Sequence, residues 1–195
     1  MTDSTAQAID ATRYAYKPSL VGAMSEFELQ QDAIVWERTG KVVRVSYREI
    51  RRVRLAFRPM TMQSYRFVAE IWAVGGTKLT IASCSMRSMF EQARQDAEYN
   101  AFLAELHRRL VPFGPAILFQ AGSPFLLYWF GVVVISALCL AAATLIVRSF
   151  EAQAWSGTAF VLGMLALFVW QVGGFLRRNK PGTYTPEQVP PRVLP

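Results

Sequence analysis

Two apolar runs, 124–147 and 157–176, constrain this chain more than any other feature. Neither contains Asp, Glu, Lys, Arg or His. At about 1.5 Å per residue, helices over them would span roughly 36 and 30 Å, enough for a bilayer core of about 30 Å. The link between them, 148–156, holds one Arg and one Glu and is so short that the two helices must be antiparallel neighbours. Amphipathic rings mark the ends: Phe125, Tyr128, Trp129 and Phe130 at the start of the first run, Trp155 before the second. Arg108 and Arg109 precede the pair, and Arg177, Arg178 and Lys180 follow it. That bias places both termini in the cytoplasm of a multi-pass protein of the cell (inner) membrane. The expected helix contact uses small residues, Ala137 and Ala141 on the first helix and Ala159 and Gly163 on the second, each pair at small-xxx-small spacing. Two charge-free helices argue against a self-contained pore, and Gln171 is read as bonding across helices or reaching the interface.

The chain ahead of the hairpin is long enough for one small domain. Its charge is concentrated: residues 37–78 hold ten Lys or Arg against three acids, which equals the +7 of the whole chain. A basic surface beside a membrane attracts anionic headgroups, at about 1 kcal/mol per well-placed charge. The candidate binding residues are Arg44, Arg52, Arg54 and Arg58. The simpler reading is a solvated cytoplasmic face that helps set topology. Cys84 and Cys139 lie in different environments, so no disulfide is expected, and no signal peptide precedes the first apolar run.

Residues 1–25 are read as a mobile N-terminal arm. Tyr14 and Tyr16 could dock on the domain or belong to a plain linker, which is the reading preferred here. From Glu26 to Cys84 the alternation is that of short strands. Gln31-Asp32, Thr39-Gly40 and Gly75-Gly76 are turn signals. Val43, Val45 and Tyr47 share one face. So do Val53, Leu55 and Phe57, with Arg52 and Arg54 opposite; Leu79 and Ile81 point inward. The stretch 66–74 has apolar residues on both faces, so its register is ambiguous. A helix is predicted over 86–110, with Ser88 and Glu91 at capping-box spacing and a stripe through Met86, Phe90, Ala93, Ala97, Leu103, Leu106 and Leu110. Residues 112–123, with Pro112 and Pro115 inside and Pro124 directly after, read as an interfacial linker or an ordinary buried one. The tail 177–195 has five prolines and should be extended, either lying along the domain, binding a partner or disordered.

These elements carry a resemblance. The early hairpins at Gln31-Asp32 and Thr39-Gly40, the Val-Ser-Tyr-Arg-Glu-Ile stretch at 45–50, the Gly75-Gly76 hairpin and the final helix resemble the bacterial pleckstrin-homology-like (PH-like) domain over residues 26–111. The resemblance implies an α+β fold: a PH-like bent antiparallel β barrel capped by one C-terminal α-helix, here followed by a two-helix transmembrane hairpin (124–176). Several bacterial proteins of this kind join the domain to two membrane helices.

Catalytic patterns are absent from the sequence. The one histidine, His107, is read as a surface residue near a helix C-terminus. No zinc spacing appears, Gly75-Gly76-Thr77-Lys78 lacks the earlier glycine of a phosphate loop, and Ser83-Cys84-Ser85 has no paired base. The expectation is therefore no enzyme and no cofactor. The chain reads as a membrane-anchored interaction or scaffold protein that binds anionic lipid or a partner protein. The alternative is an accessory or regulatory subunit of a larger membrane transport complex, meeting a membrane protein partner or a second copy. Nucleic acid is the weakest candidate partner, because the charge is present but no recognition motif is.

Overall fold

The computed structural model describes residues 10–19, 22–58, 66–86 and 92–195, the side chain of Gln92 excepted. The chain divides into two compact units: Met1–Ala121 with Gly182–Pro195, and Gly122–Pro181.

The first unit is α+β, with two sheets enclosing one core. A four-stranded antiparallel sheet runs in the order β1 (Arg13–Tyr16), β2 (Ser25–Leu29), β3 (Ala33–Arg38), β4 (Lys41–Ser46). The second sheet has the order β11-β10-β5-β6-β7: β5 is Ile50–Phe57, β6 Phe67–Ala73, β7 Lys78–Ala82, β10 Leu118–Ala121 and β11 Gly182–Thr183. The sheets do not close into one barrel. A two-stranded ribbon, β8 (Cys84–Met86) with β9 (Gln92–Arg94), leads into helix α1 (Asp96–Leu110). Side chains alternate across each strand, so Phe27, Leu29, Val53, Leu55, Ile71 and Leu79 all enter the core. At the Thr39-Gly40 turn both residues have positive φ (53° and 72°), the conformation that matches the right-handed twist of β3 and β4. Strand β6 is buried from Phe67 to Ile71 and lies between β5 and β7. This explains why its sequence is apolar on both faces.

Four sequence expectations need correction. Tyr14 and Tyr16 belong to β1, not to a linker: their rings are buried, and their hydroxyls donate to Ala82 O and Thr80 O, each at 2.6 Å. Two hydroxyls on one strand thus join the two sheets. The helix predicted from 86 starts at Asp96, because residues 92–94 pair as a strand with 84–86. Its core stripe is Tyr99, Phe102, Leu103, Leu106 and Leu110, while Ala97 is exposed. The proposed Ser88–Glu91 capping box lies outside the described residues. The interfacial linker is instead a 3-10 turn, Val111–Ala116, followed by β10, which pairs in parallel with β5 and buries Ile117 and Phe119. Prolines 112 and 115 fit that tight turn, which lacks the regular helical bonding they would break.

Of the readings left open for the tail, the structure has the one in which it lies along the domain. Gly182–Pro195 is a structural part of the domain. Strand β11 pairs with β10, a turn joins Thr185 to Gln188, and a 3-10 turn at Pro191–Val193 buries Val193 completely. The fourth correction is His107, which is not a surface residue: it is 2% exposed, because the docked tail covers it, and is bonded to Tyr184 of that tail.

The second unit is a helical hairpin. α2 (Phe125–Glu151) and α3 (Trp155–Asn179) are both long and apolar enough to cross a membrane. Their link is only 152–154, shorter than the sequence implies, because Arg148 and Glu151 extend the last turn of α2. The less exposed positions recur at heptad-like spacing: Val132, Ile135, Cys139, Ala142 and Ile146 on α2, and Val161, Leu165, Phe168 and Val172 on α3. The hairpin base is closed by Ser123 N–H donating to Asn179 O at 3.0 Å. Gly122, at φ 84°, sits so close to this carbonyl that a Cβ would lie 2.6 Å from it.

Candidate functional site

Strand β5 positions the candidate site. Val53 and Leu55 point to the core, so Arg52 and Arg54 project from the opposite, outer face. Register then fixes their neighbours. Arg52 lies in a row with Trp72 and Lys78, and Arg54 in a row with Glu70 and Thr80. On the other side Gln120 of β10 stands beside Arg54. Arg58 extends β5 by one more bond, its N–H donating to Arg66 O at 2.7 Å.

Glu70 is the centre of this cluster, with its side chain 2% exposed. Its Oε1 accepts from Arg58 Nη2 at 3.0 Å and from Lys78 Nζ at 2.7 Å. Its Oε2 lies 4.0 Å from Arg54 Nη1 and accepts no hydrogen bond from the described residues. Arg54 in turn donates from Nη2 to Gln120 Oε1 at 3.2 Å. Burial pushes the Arg54 guanidinium below its ordinary pKa, and the Glu70 charge opposes that shift. The Trp72 ring completes the arrangement, with Arg54 and Lys78 each 5.0 Å and Arg52 5.6 Å from its centroid. Three cations therefore share one carboxylate and a fourth, Arg52, lies over the same Trp72 ring, so these four cations and one acid carry a net charge of +3 on a face held by three adjacent strands.

The structure brings together Arg52, Arg54 and Arg58 of the expected set. It separates Arg44, which lies on the other sheet and makes a bidentate pair with Asp32 (2.7 and 2.9 Å). Sequence reasoning missed Lys78, Glu70, Trp72 and Gln120 as members. Lys78 and Trp72 were readable only with a register for 66–74, which the two-sided apolar pattern concealed. Gln120 sat in a segment not read as a strand.

The outer face of the four-stranded sheet has the opposite sign. Glu26, Glu28 and Glu37 surround an open groove of about 510 Å³, with Arg13 beside Glu28 at 3.4 Å. The two outer faces lie on opposite sides of the shared core, so the domain is electrically polar across its thickness.

The expected helix-packing residues are not at the helix seam. Ala137, Ala141, Ala159 and Gly163 are exposed, and a Cβ added at Gly163 would meet nothing within 4 Å. The less exposed positions of the two helices are the heptad-spaced ones named above. Among the described residues no group of three His, Cys, Asp or Glu could hold a metal ion. The cluster's chemistry is that of an anion receiver: it offers guanidinium and ammonium donors and no nucleophile–base pair. Comparison with known protein families, with curated proteins and with solved structures finds no match for this chain.

Proposed function

We propose that this chain is a non-catalytic, membrane-anchored binding module whose basic sheet face engages anionic lipid headgroups at the cytoplasmic side of the inner membrane. The observation that carries the reading is the outer-face cluster of Arg52, Arg54, Arg58 and Lys78 around Glu70 and Trp72. Its position in the chain adds to it. Gln120, which contacts Arg54, is five residues before Phe125, a length of at most about 18 Å when extended. Trp72 provides an amphipathic ring of the kind that favours the headgroup level. The acidic groove on the far face favours an orientation with that side turned from an anionic surface. The strand order β1 to β7 followed by α1 supports a PH-like domain, to which β10, β11 and the docked tail are additions.

The test is cosedimentation of the domain, with its hairpin replaced by a turn, with vesicles of anionic or of zwitterionic lipid. Binding is expected only to the anionic vesicles and should fall with salt. Arg52→Ala with Lys78→Ala should cost about 2 kcal/mol, or roughly thirtyfold in affinity. Equal binding to both vesicle types defeats the reading.

A second reading, an accessory subunit of a larger membrane complex, draws on the outward-facing Ala137, Ala141, Ala159 and Gly163, which leave small-residue surfaces for another helix. Purification in mild detergent tests it. A stoichiometric membrane protein partner supports it, and a lone chain defeats it.

A further inference from the structure

Beside the backbone pairing of β11 with β10, a side-chain contact ties the tail to the domain where a helix, a strand and the tail meet. His107 Nδ1 is 2.7 Å from Leu103 O, one turn earlier in α1. A carbonyl only accepts, so Nδ1 carries the proton and Nε2 presents a lone pair. Tyr184 Oη lies 2.9 Å from that nitrogen and donates to it. The contact is enclosed by rings. Phe119 of β10 lies 5.8 Å from the imidazole and 5.5 Å from Tyr184, centroid to centroid, and the Tyr184 N–H donates to Phe119 O at 3.2 Å.

We propose that the His107–Tyr184 pair is an acid-released latch: neutral His107 holds Gly182–Pro195 on the domain, and protonation loosens that segment. The inference stands apart from the lipid-binding reading. A second proton turns Nε2 from acceptor to donor and leaves Tyr184 facing an N–H where it had a lone pair. It also puts a positive charge among the rings of Phe119 and Tyr184, with no carboxylate paired to it among the described residues. The group facing the imidazole from the tail is the Tyr184 phenol, which burial keeps un-ionised. From β10 it is the uncharged Phe119. On α1 itself, Arg108 and Arg109 are paired to Glu105, and Arg109 also donates to Leu29 O and Gln30 O. Burial holds the imidazole below its ordinary value of 6.5, the Leu103 bond only partly opposes this, and among the described residues no charged side chain shifts it. The sign follows. Docking is strongest above 6.5 and weakens as pH falls below it, through the lower value of the docked state.

His107 is the only histidine in the chain, so its imidazole resonance in the intact protein, reconstituted in lipid, is unambiguous. The imidazole signal and the hydrogen-exchange protection of 182–195, corrected for intrinsic rate, are followed together from about pH 8 to about pH 5, where histidine changes charge. The expected result is titration below 6.5 in step with loss of tail protection, by at most about tenfold per pH unit for one proton. His107→Gln should make tail protection independent of pH. Tyr184→Phe, which removes only the hydroxyl, should lower protection at neutral pH by about fivefold. Titration at or above 6.5, or a tail that stays equally protected while the imidazole titrates, overturns the latch.

Discussion

Ala121 and Gly182 face each other on the last rung between β10 and β11, although the whole of Gly122–Pro181 separates them in sequence. The helical hairpin is therefore an insertion between two adjacent antiparallel strands. Replacing Gly122–Pro181 by Asn-Gly should join the strands through a two-residue turn, the connection that suits their twist. The expected product is a monomer, soluble without detergent, that unfolds in one cooperative thermal transition. Aggregation, or loss of the sheet signal in circular dichroism, would show that the domain needs its hairpin to fold.

Glu70 should contribute to stability by organising the cations above it. Removing one member of a buried pair costs about 3–5 kcal/mol. Arg58 and Lys78 are each about half exposed, which reduces the figure. Glu70→Gln should therefore destabilise the domain by roughly 2 kcal/mol in urea unfolding. The same change should strengthen binding to anionic vesicles, because it removes the one negative charge of the cluster. Unchanged stability would mean that the cations hold their places without it.

Val193 has no exposed surface and belongs to the core, its turn lying against β5. Val193→Ala should cost about 1–3 kcal/mol through lost burial and the cavity left behind. Val189→Ala, at a partly buried site on the same tail, should cost less. The difference between the two midpoints in urea is the measurement.

Glu105 links α1 to the first sheet through Arg109. Its hydrogen bond from Arg108, with a second from Arg109, holds its carboxyl at about 2, against an ordinary 4.5. The pair's contribution is complete above 4.5 and is lost as pH falls from there toward 2. Since Arg108 is largely exposed, about 1 kcal/mol is the expected size. A urea midpoint that drops by this amount across the window in the native chain, and stays flat in Glu105→Gln, is the expected pattern.

How much of this was legible depended on whether a local pattern had a rival. The hairpin spans, the turns at Thr39-Gly40 and Gly75-Gly76, and the inward faces of β5 and β7 carry strong local signals, and the structure follows them. Tyr14 and Tyr16 gave a strand of four residues with no flanking turn signal; its place is decided by hydroxyl bonds to residues more than sixty positions away. Residues 92–94 suit a helix locally, yet pair with Cys84–Met86, a case of tertiary pairing overriding propensity. The binding cluster was half legible for the same reason. Arg52 and Arg54 were set by alternation along one strand, whereas Glu70, Trp72 and Lys78 join them through register between strands. The tail's prolines signalled only extension, and nothing local shows that Val193 has a socket.

The inserted hairpin also imposes an order on biosynthesis. Synthesis runs from the N-terminus, so ten strands and α1 leave the ribosome ahead of both long apolar helices, while β11, Tyr184 and Val193 leave after them. Until the second helix has been made, β10 has an open edge, His107 has no hydroxyl partner and the Val193 socket is unfilled. Completion of the two-sheet fold thus reports that the apolar hairpin has been fully translated, a built-in sequence of assembly that no single strand or helix encodes.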